Sequence, residues 1–512
     1  MPFDPDARDL TVAVVGTGTM GRGIVQVAAQ GGMRTIAFDE RAGAADDAKT
    51  YIADMLGKMV AKGRLPDADA RAALDRIRVA SDLAEVATAD VVIEAVVERL
   101  DVKQDLFSKL DEVMRPDAIL ASNTSSLPVT AIAAKCRWPE RVGGMHFFNP
   151  VPLMRLVEVI PGLKTAPWVA DALMAIGRRM GREPVLCKDS PGFLVNHVGR
   201  ALIPESLHIL EEGIASHDEI DRILTGAPGF KIGPFALADM VGLDVGHAVM
   251  ESLYGQFYFE PRYAPSPLMA LRTAGGALGR KTGSGWYQYE DGAQQRSTPP
   301  PTPQKLPRSV WVRPSDHHPD LQAPLLDVLR QSGVTLEDGS APSDDALIIL
   351  TPIGWDLTTA VCDLKLDPQR TVAVDVLFGM KGPRTLMVTP ATSAAARDGA
   401  HAVLTSDGQP VVVINDSPGF VAQRIVAQIV NVGCSIAQRG IADPADIDKA
   451  TKLGLGYPFG PLEWGDRIGP ARILHILERL HAFYREPRYR PSSWLRRRAM
   501  LGLPLSATDG RQ

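Results

Sequence analysis

Cysteine is scarce and scattered in this chain. Its four cysteines, Cys136, Cys187, Cys362 and Cys434, form no Cys-x-x-Cys pair, so neither a zinc knuckle nor a disulfide framework is expected. Long apolar runs are also missing: no stretch approaches the roughly 18 apolar residues of a membrane span. Residues 1–9 are acidic and carry no apolar run, so they do not read as a signal peptide, and the cytosol is the expected compartment. Surplus positive charge is absent too. Lys and Arg number 55 against 60 Asp and Glu, a net charge of −5. That balance gives no support for a sequence-blind grip on nucleic acid or an anionic membrane.

What is present is an ordinary globular composition, 45% hydrophobic and 22% charged, in a chain of 512 residues. That length exceeds one core and predicts two to four domains. An apolar run at 10–15 reads as a buried strand. It flows into Gly16-Thr-Gly18-Thr-Met20-Gly21 and then into the helical pattern Ile24, Val25, Val27, Ala28. Further strands are expected at 35–38, 90–95 and 118–121, separated by amphipathic helical stretches. Such alternation predicts a parallel sheet with helices on both faces. From about 191 to 271 helical periodicity dominates. Residues 297–308 hold five prolines, an extended spacer that marks a boundary. Strand-like runs return at 346–350, 371–376 and 410–414, and a helical pattern follows from Phe420.

An internal repeat links the two halves. Asp189-Ser-Pro-Gly-Phe193 recurs as Asp416-Ser-Pro-Gly-Phe420, an offset of 227. Ile220-Asp221, Gly233-Pro234 and Asp239 recur at the same offset as Ile447-Asp448, Gly460-Pro461 and Asp466. A constant offset over such a span points to a duplicated helical domain. The expected organisation is a dinucleotide domain over 1–190, a helical domain over 191–290, a linker over 291–308, a degenerate dinucleotide-like domain over 309–415 and a second helical domain over 416–512.

A lone Gly-x-Gly-x-x-Gly is weak evidence. Here a strand precedes it, a helix follows it, and an acid closes the next strand. Gly16 permits the tight turn, Gly18 lets backbone approach a pyrophosphate, and Gly21 allows close packing of helix on strand. Helix amides behind Gly18 then face the phosphates. Asp39 stands where a carboxylate accepts from ribose hydroxyls and repels a 2′-phosphate, which favours NAD over NADP. Arg41 beside it weakens that discrimination.

A second set of residues lies beyond Ser122. The chain reads SNTSSLPVT, then GGMHFFNPVPLMRLVEV around His146, then DSPGFLVN ending at Asn196. On these motifs the chain resembles the L-3-hydroxyacyl-CoA dehydrogenases, most of all their long bacterial form with a duplicated C-terminal domain. The resemblance covers about 10–290 and again 416–512. It implies a Rossmann-type NAD-binding domain followed by an all-helical domain of the 6-phosphogluconate-dehydrogenase type, with a degenerate second copy of the pair. It further implies oxidation of a (3S)-3-hydroxyacyl-CoA in fatty-acid β-oxidation or phenylacetate catabolism, and a possible homo-oligomer.

The chemistry explains the residue types. Oxidising a secondary alcohol removes a hydroxyl proton as hydride leaves carbon, and histidine accepts a proton near neutral pH. His146 is the candidate base, with Glu158 fixing its tautomer. Ser125 and Asn196 would bind the substrate oxygen. By resemblance, Asn149 lies near the nicotinamide, and Met20, Glu98, Lys103 and Ser125 line the cofactor groove. Lys62 would meet the coenzyme A end of the substrate, where a cation suits a phosphate. Each residue also has a plainer reading: His146 as a satisfied core histidine, Ser125 as a helix N-cap, Glu158 as an outward strand residue, Asn196 as a cap, Lys62 as a solvated lysine. Gly279-Arg-Lys-Thr-Gly283-Ser-Gly285 reads as glycine turn chemistry rather than a phosphate contact, and Arg496–Arg498 as a solvated tail.

The second half lacks these working parts. After its first strand the chain reads Val310-Trp-Val-Arg-Pro-Ser, with no glycine fingerprint, and no histidine occurs between His318 and His401. Aligning Val388-Thr-Pro390 with Val159-Ile-Pro161 puts Met387 opposite Glu158, and at the 227 offset Gln423 replaces Asn196. This half reads as a copy that kept its packing and lost catalysis, acting as a scaffold or as part of the acyl-binding wall. Two rivals stand beside the dehydrogenase reading: a sugar-acid dehydrogenase of the same superfamily, and a catalytically silent NAD-binding protein.

Overall fold

The structure, a computed structural model, describes residues 4–315 and 318–509. Two compact units divide the chain. The first takes residues up to His197 together with Arg439–Leu455; the second takes Val198–Gln438 and the chain from Gly456 onward.

An eight-stranded sheet organises the first unit. Its strands are β1 (Thr11–Val15), β2 (Arg34–Phe38), β3 (Ile77–Val79), β4 (Val91–Glu94), β5 (Ile119–Ser122), β6 (Val142–Phe147), β7 (Leu156–Pro161) and β8 (Glu183–Leu186). The spatial order is β3-β2-β1-β4-β5-β6-β7-β8. Strands pair in parallel from β3 to β6. The β6–β7 pair is antiparallel, and β8 runs parallel to β7. Alternation along β1 feeds two cores, because successive side chains point to opposite faces. Val12 and Val14 join Ile24, Val25 and Ala28 of helix Thr19–Gln30. Ala13 and Val15 join Phe107 and Leu110 of helix Leu100–Val113. The chain leaves β1 for β2 on one side and returns to β4 on the other. That reversal opens a crevice at the carboxyl ends of β1 and β4, the usual place for a dinucleotide.

Strand β6 carries little strand signal, since it contains Gly143, Gly144 and His146. Packing explains the glycines. A Cβ on Gly144 would come 2.8 Å from Val129, and one on Gly143 would come 3.0 Å from Leu173. Glycine there lets covering helices sit against the strand.

The second unit contains a hairpin, β9 (Gln288–Glu290) and β10 (Ala293–Gln295), and a six-stranded sheet. That sheet comprises β11 (Ser309–Val312), β12 (Thr335–Glu337), β13 (Leu347–Leu350), β14 (Thr371–Val374), β15 (Arg384–Val388) and β16 (Val411–Asn415), in the order β12-β11-β13-β14-β15-β16. It repeats the design of the first sheet with two strands fewer, including an antiparallel step, here between β14 and β15. Met387 lies across that step from Ala373, as Glu158 lies across from His146. Residues 296–308 form no regular element.

Helix Ala422–Gln438 is buried from Ala422 to Ala437. Helices Leu202–Glu211, Pro461–Ile468, Pro470–Tyr484 and Ser493–Leu501 pack around it. A helix polar at Arg424, Gln428 and Asn431 survives burial because each polar group is bonded. Arg424, fully buried, pairs with Glu205, with Glu212 at 2.7 Å, and with the hydroxyls of Tyr484 and Tyr489. The expected solvated arginine tail is corrected in part. Arg498 is buried over the Trp494 ring and donates to the Ala507 carbonyl at 2.7 Å, while Arg496 pairs with Glu478. Among the described residues no helix is long and apolar enough to cross a membrane.

Candidate active site

The dinucleotide turn is built as its glycines require. Gly16 adopts φ +91°, and a Cβ there would lie 2.7 Å from the Ala95 carbonyl oxygen. A Cβ on Gly21 would overlap the Gly16 carbonyl oxygen at 1.7 Å. Gly18 differs: nothing lies within 4 Å of its missing Cβ, and it begins helix Thr19–Gln30 with no side-chain cap. The open space and uncapped amides are what a pyrophosphate needs, so the residues present fit a dinucleotide. Met20, in the first turn of that helix, is half-buried.

Asp39, just past β2, accepts from the backbone N–H of Thr17 at 2.7 Å and from its hydroxyl at 3.1 Å. It also accepts from Arg41 N–H at 3.0 Å. Burial acts to raise its pKa, but these bonds outweigh burial and hold the carboxyl below its ordinary value. The acid therefore braces the glycine turn while remaining charged where a ribose would lie. Arg41 reaches the same carboxylate at 3.3 Å, with an exposed side chain.

His146 and Glu158 are direct partners across β6 and β7. His146 Nδ1 lies 2.6 Å from Glu158 Oε2, and both side chains are buried. The other carboxylate oxygen, Oε1, accepts from the backbone N–H groups of Leu194 at 3.0 Å and Val195 at 2.8 Å. Glu158 is thus no outward strand residue; β8 covers its strand on the far side. A carboxylate can only accept, so His146 Nδ1 is the donor of this pair, and in the neutral imidazole Nε2 keeps the lone pair. Phe148 and Phe193 flank the imidazole, with ring centroids 4.5 and 5.9 Å away.

The amides that hold Glu158 sit at the end of the Asp189–Phe193 motif. Asp189 accepts from Val129 N–H at 3.0 Å and Thr130 N–H at 2.7 Å, capping the short helix Val129–Ile132. That cap is Asp189, supplied from sixty residues away, and not Ser125. Asp416 does the same for helix Leu357–Leu364, accepting from Leu357 and Thr358. Phe193 and Phe420 share positive φ, 47° and 50°. The repeated motif therefore serves folding in both units, which explains its survival where catalysis is not expected.

Ser125 and Asn196 meet: the Asn196 amide donates to the Ser125 carbonyl at 3.2 Å. Glu98 gathers the serine loop, one oxygen accepting from Thr124 hydroxyl at 2.7 Å, Ser125 N–H at 2.8 Å and Ser126 N–H at 3.0 Å. Burial would raise the Glu98 pKa; the Lys103 charge and these bonds overcome it and lower it. Lys103 is 1% exposed and its ammonium lies 2.6 Å from Glu94 and 3.2 Å from Glu98. Glu94, the acid ending the apolar run of β4, was missed from sequence. It is fully buried and accepts from Ser122 hydroxyl at 2.6 Å and Val96 N–H at 2.7 Å.

Asn149 is exposed beyond β6 and precedes a cis proline. Its loop rests on the dinucleotide helix, because Gly23 leaves room for Val151; a Cβ there would come within 2.8 Å. Lys62 stands apart. It caps the carboxyl end of helix Ala44–Ala61, exposed, and no hydrogen bond or ion pair among the described residues joins it to the other site residues. The glycines at 279–285 form a turn clasping Asp239, which accepts from Trp286 N–H at 2.8 Å and Tyr287 N–H at 2.9 Å. No group of three or more metal-ligating side chains is present among the described residues.

Residues 11–190 match the family described as 3-hydroxyacyl-CoA dehydrogenase, NAD binding domain. Residues 192–289 and 419–509 both match the C-terminal domain of the same family. A 3-hydroxyadipyl-CoA dehydrogenase of Escherichia coli (strain K12) is 39% identical over 495 residues, covering 96% of this chain and 98% of the relative. A probable 3-hydroxybutyryl-CoA dehydrogenase of Deinococcus radiodurans is 42% identical over 54% of this chain and 99% of its own length. The crystal structure of a 3-hydroxybutyryl-CoA dehydrogenase from Escherichia coli K12 superposes with TM-score 0.85 at 36% identity, covering 96% of this chain and 98% of that one.

Proposed function

The chain belongs to the 3-hydroxyacyl-CoA dehydrogenase family, and from that premise we propose that His146 is the general base of an NAD-dependent oxidation of (3S)-3-hydroxyacyl-CoA to 3-oxoacyl-CoA. The single observation that carries this assignment is the buried His146–Glu158 pair, closed on its far side by two backbone N–H groups.

Bound NAD supplies the acceptor for the hydride leaving the 3-carbon. His146 Nε2 takes the hydroxyl proton, because Nδ1 is committed to Glu158. Glu158 stabilises the imidazolium that results and, held by Leu194 and Val195 N–H, keeps the ring from turning. Ser125 and Asn196 orient the substrate oxygen and steady the charge that develops on it. Glu98 positions Ser125, and Lys103 acts through Glu98 and Glu94. Asp39 selects the ribose, and Gly16, Gly18, Met20 and Gly21 form the pyrophosphate turn. Asn149 lines the nicotinamide end, and Lys62 meets the coenzyme A phosphates as the substrate enters.

The relatives' names frame the acyl group: a dicarboxylic 3-hydroxyadipyl thioester for the full-length relative, a short 3-hydroxybutyryl thioester for the half-length one. Full-length relatives carry both names, 3-hydroxyadipyl for one and 3-hydroxybutyryl for the other, and of the two acyl groups we take the dicarboxylic one as the reading to test. Substrate and cofactor are both dissolved metabolites, which suits a cytoplasmic enzyme. The test is a kinetic panel of 3-hydroxyacyl-CoAs with short, long and dicarboxylic acyl groups, each with NAD and NADP. Highest kcat/KM with NAD and 3-hydroxyadipyl-CoA is the expected outcome; activity confined to non-thioester hydroxy acids would overturn the assignment.

A further inference from the structure

The second unit has its own reversal of strand order. From β11 the chain forms β12 on one side and returns to β13 on the other. A cavity of about 370 Å³ lies at the carboxyl ends of β11 and β13, within the size range of small-molecule sites. Its walls begin with the residues directly after each strand, Arg313 and Ser315 after β11 and Thr351 after β13. Arg479, on helix Pro470–Tyr484, closes the opposite side.

The chemistry of this crevice is inverted relative to the first unit. There, glycine leaves backbone amides open to a phosphate. Here Pro314 follows β11, and proline has no N–H to offer. Two guanidiniums stand in place of those amides. Arg313 and Arg479 are half-buried, and neither has a carboxylate partner at ion-pair distance among the described residues. Arg479 is instead held at 4.0 Å over the Trp355 ring, which fixes its direction. That close approach is possible because Gly354 has φ +76° and no Cβ; one there would come 2.8 Å from the backbone of Ile476. His318 and His475 add to the lining, against one acid, Asp363. Half-buried guanidiniums without carboxylates facing a cavity suit an anion with several oxygens, because the planar fork binds phosphate through paired N–H groups.

We propose that this crevice is a second ligand site, one that takes a phosphomonoester of up to mononucleotide size through Arg313 and Arg479. It is not a second dinucleotide site, since no glycine follows β11, Pro314 has no N–H, and the Ser315 N–H is already bonded to the Gln322 side chain at 2.9 Å. Ser315 and Thr351 add hydroxyls to the lining, their oxygens already accepting from His318 N–H at 3.0 Å and the Gln322 amide at 2.7 Å, and Trp355 adds apolar surface.

The experiment is calorimetric titration of the full-length chain with AMP, in NADH sufficient to fill the first unit. One AMP per chain is expected to bind, inorganic phosphate should compete with it, and adenosine should not bind. Arg313→Glu should weaken AMP at least tenfold, as should Arg479→Gln. NADH affinity and turnover should stay as in the wild type in both variants, which shows that they fold. Failure of both AMP and phosphate to bind in the presence of NADH would overturn the proposal. So would adenosine binding as tightly as AMP, or unchanged AMP affinity in Arg313→Glu.

Discussion

Two acidic residues in the first unit are both bonded to backbone N–H groups, yet they prepare different events. Glu158 receives Leu194 and Val195 N–H on one oxygen and His146 on the other, so both oxygens are fixed in place and its charge is held against the imidazole. The consequence falls on His146. His146→Ala should lower turnover at least about a hundredfold, the lower end for general acid–base catalysis. NADH affinity, read by fluorescence titration, should barely change, since among the described residues no hydrogen bond or ring contact ties His146 to the pyrophosphate turn. Near-normal turnover would remove His146 from its role. Asp39 braces the turn through Thr17 and Arg41 N–H, and its proposed second role is to bind the ribose. Asp39→Ser should weaken NAD roughly tenfold or more, the loss expected for hydrogen bonds to a charged acceptor. The NAD/NADP preference should narrow at the same time. A wild-type preference for NADP in a side-by-side titration would show the assignment to be wrong.

Elements explain why the second copy keeps its motifs. In the second unit Gln423 stands at the repeat position of Asn196, buried, and donates to Asp375 at 2.9 Å while accepting from Gly354 N–H at 2.9 Å. Its amide is spent on the ends of β13 and β14. Burial pushes the Asp375 carboxyl up to about 6, against the bonds from Gln423 and Leu377 N–H. Because the folded state holds this proton more tightly than the unfolded chain, the fold loses stability as pH rises from about 4 to about 6. Above that window the loss is complete, worth up to about 3 kcal/mol. Asparagine keeps an oxygen to accept both bonds and carries no charge. Asp375→Asn should therefore be more stable than the wild type at pH 7 in urea denaturation, with the gap closing toward pH 4 and turnover unchanged. A gap independent of pH would exclude Asp375 as its source.

At the scale of the whole chain, one segment does not follow sequence order. Helix Pro444–Leu455 lies in the second helical repeat, yet it belongs to the first unit and packs against β7 and β8. Gly454 permits this: a Cβ there would come 2.9 Å from Leu156 and 3.0 Å from Val195, the residue whose N–H holds Glu158. Lys188 N–H binds the Ile441 carbonyl at 2.8 Å beside it. Truncation near Thr302 removes this helix and uncovers the strand that carries Glu158. The 1–302 fragment should aggregate or unfold, and loss of activity should accompany loss of solubility in a sedimentation assay. The full chain should bind one NADH, because β11 ends without a glycine turn. Two equal NADH sites, or a soluble and fully active 1–302 fragment, would sink the scaffold reading.

Local chemistry made some features of this protein legible in its sequence. The glycine turn could be read because only glycine tolerates its backbone and close contacts. Strands β1, β4 and β5 could be read because buried parallel strands are continuous apolar runs, and the 227-residue repeat because identity is visible without structure. Strand β6 was not legible as a strand, since Gly143 and Gly144 interrupt it, and its antiparallel pairing with β7 is what sets His146 against Glu158. Tertiary structure alone decided that the buried Glu94–Lys103 pair reaches the more exposed Glu98 beneath the serine loop. It also decided that Asp189 caps a helix sixty residues away, and that a helix from the far end of the chain closes the first unit. These contacts join residues distant in sequence, and no periodicity records which distant groups will satisfy a buried charge or fill the space a glycine leaves.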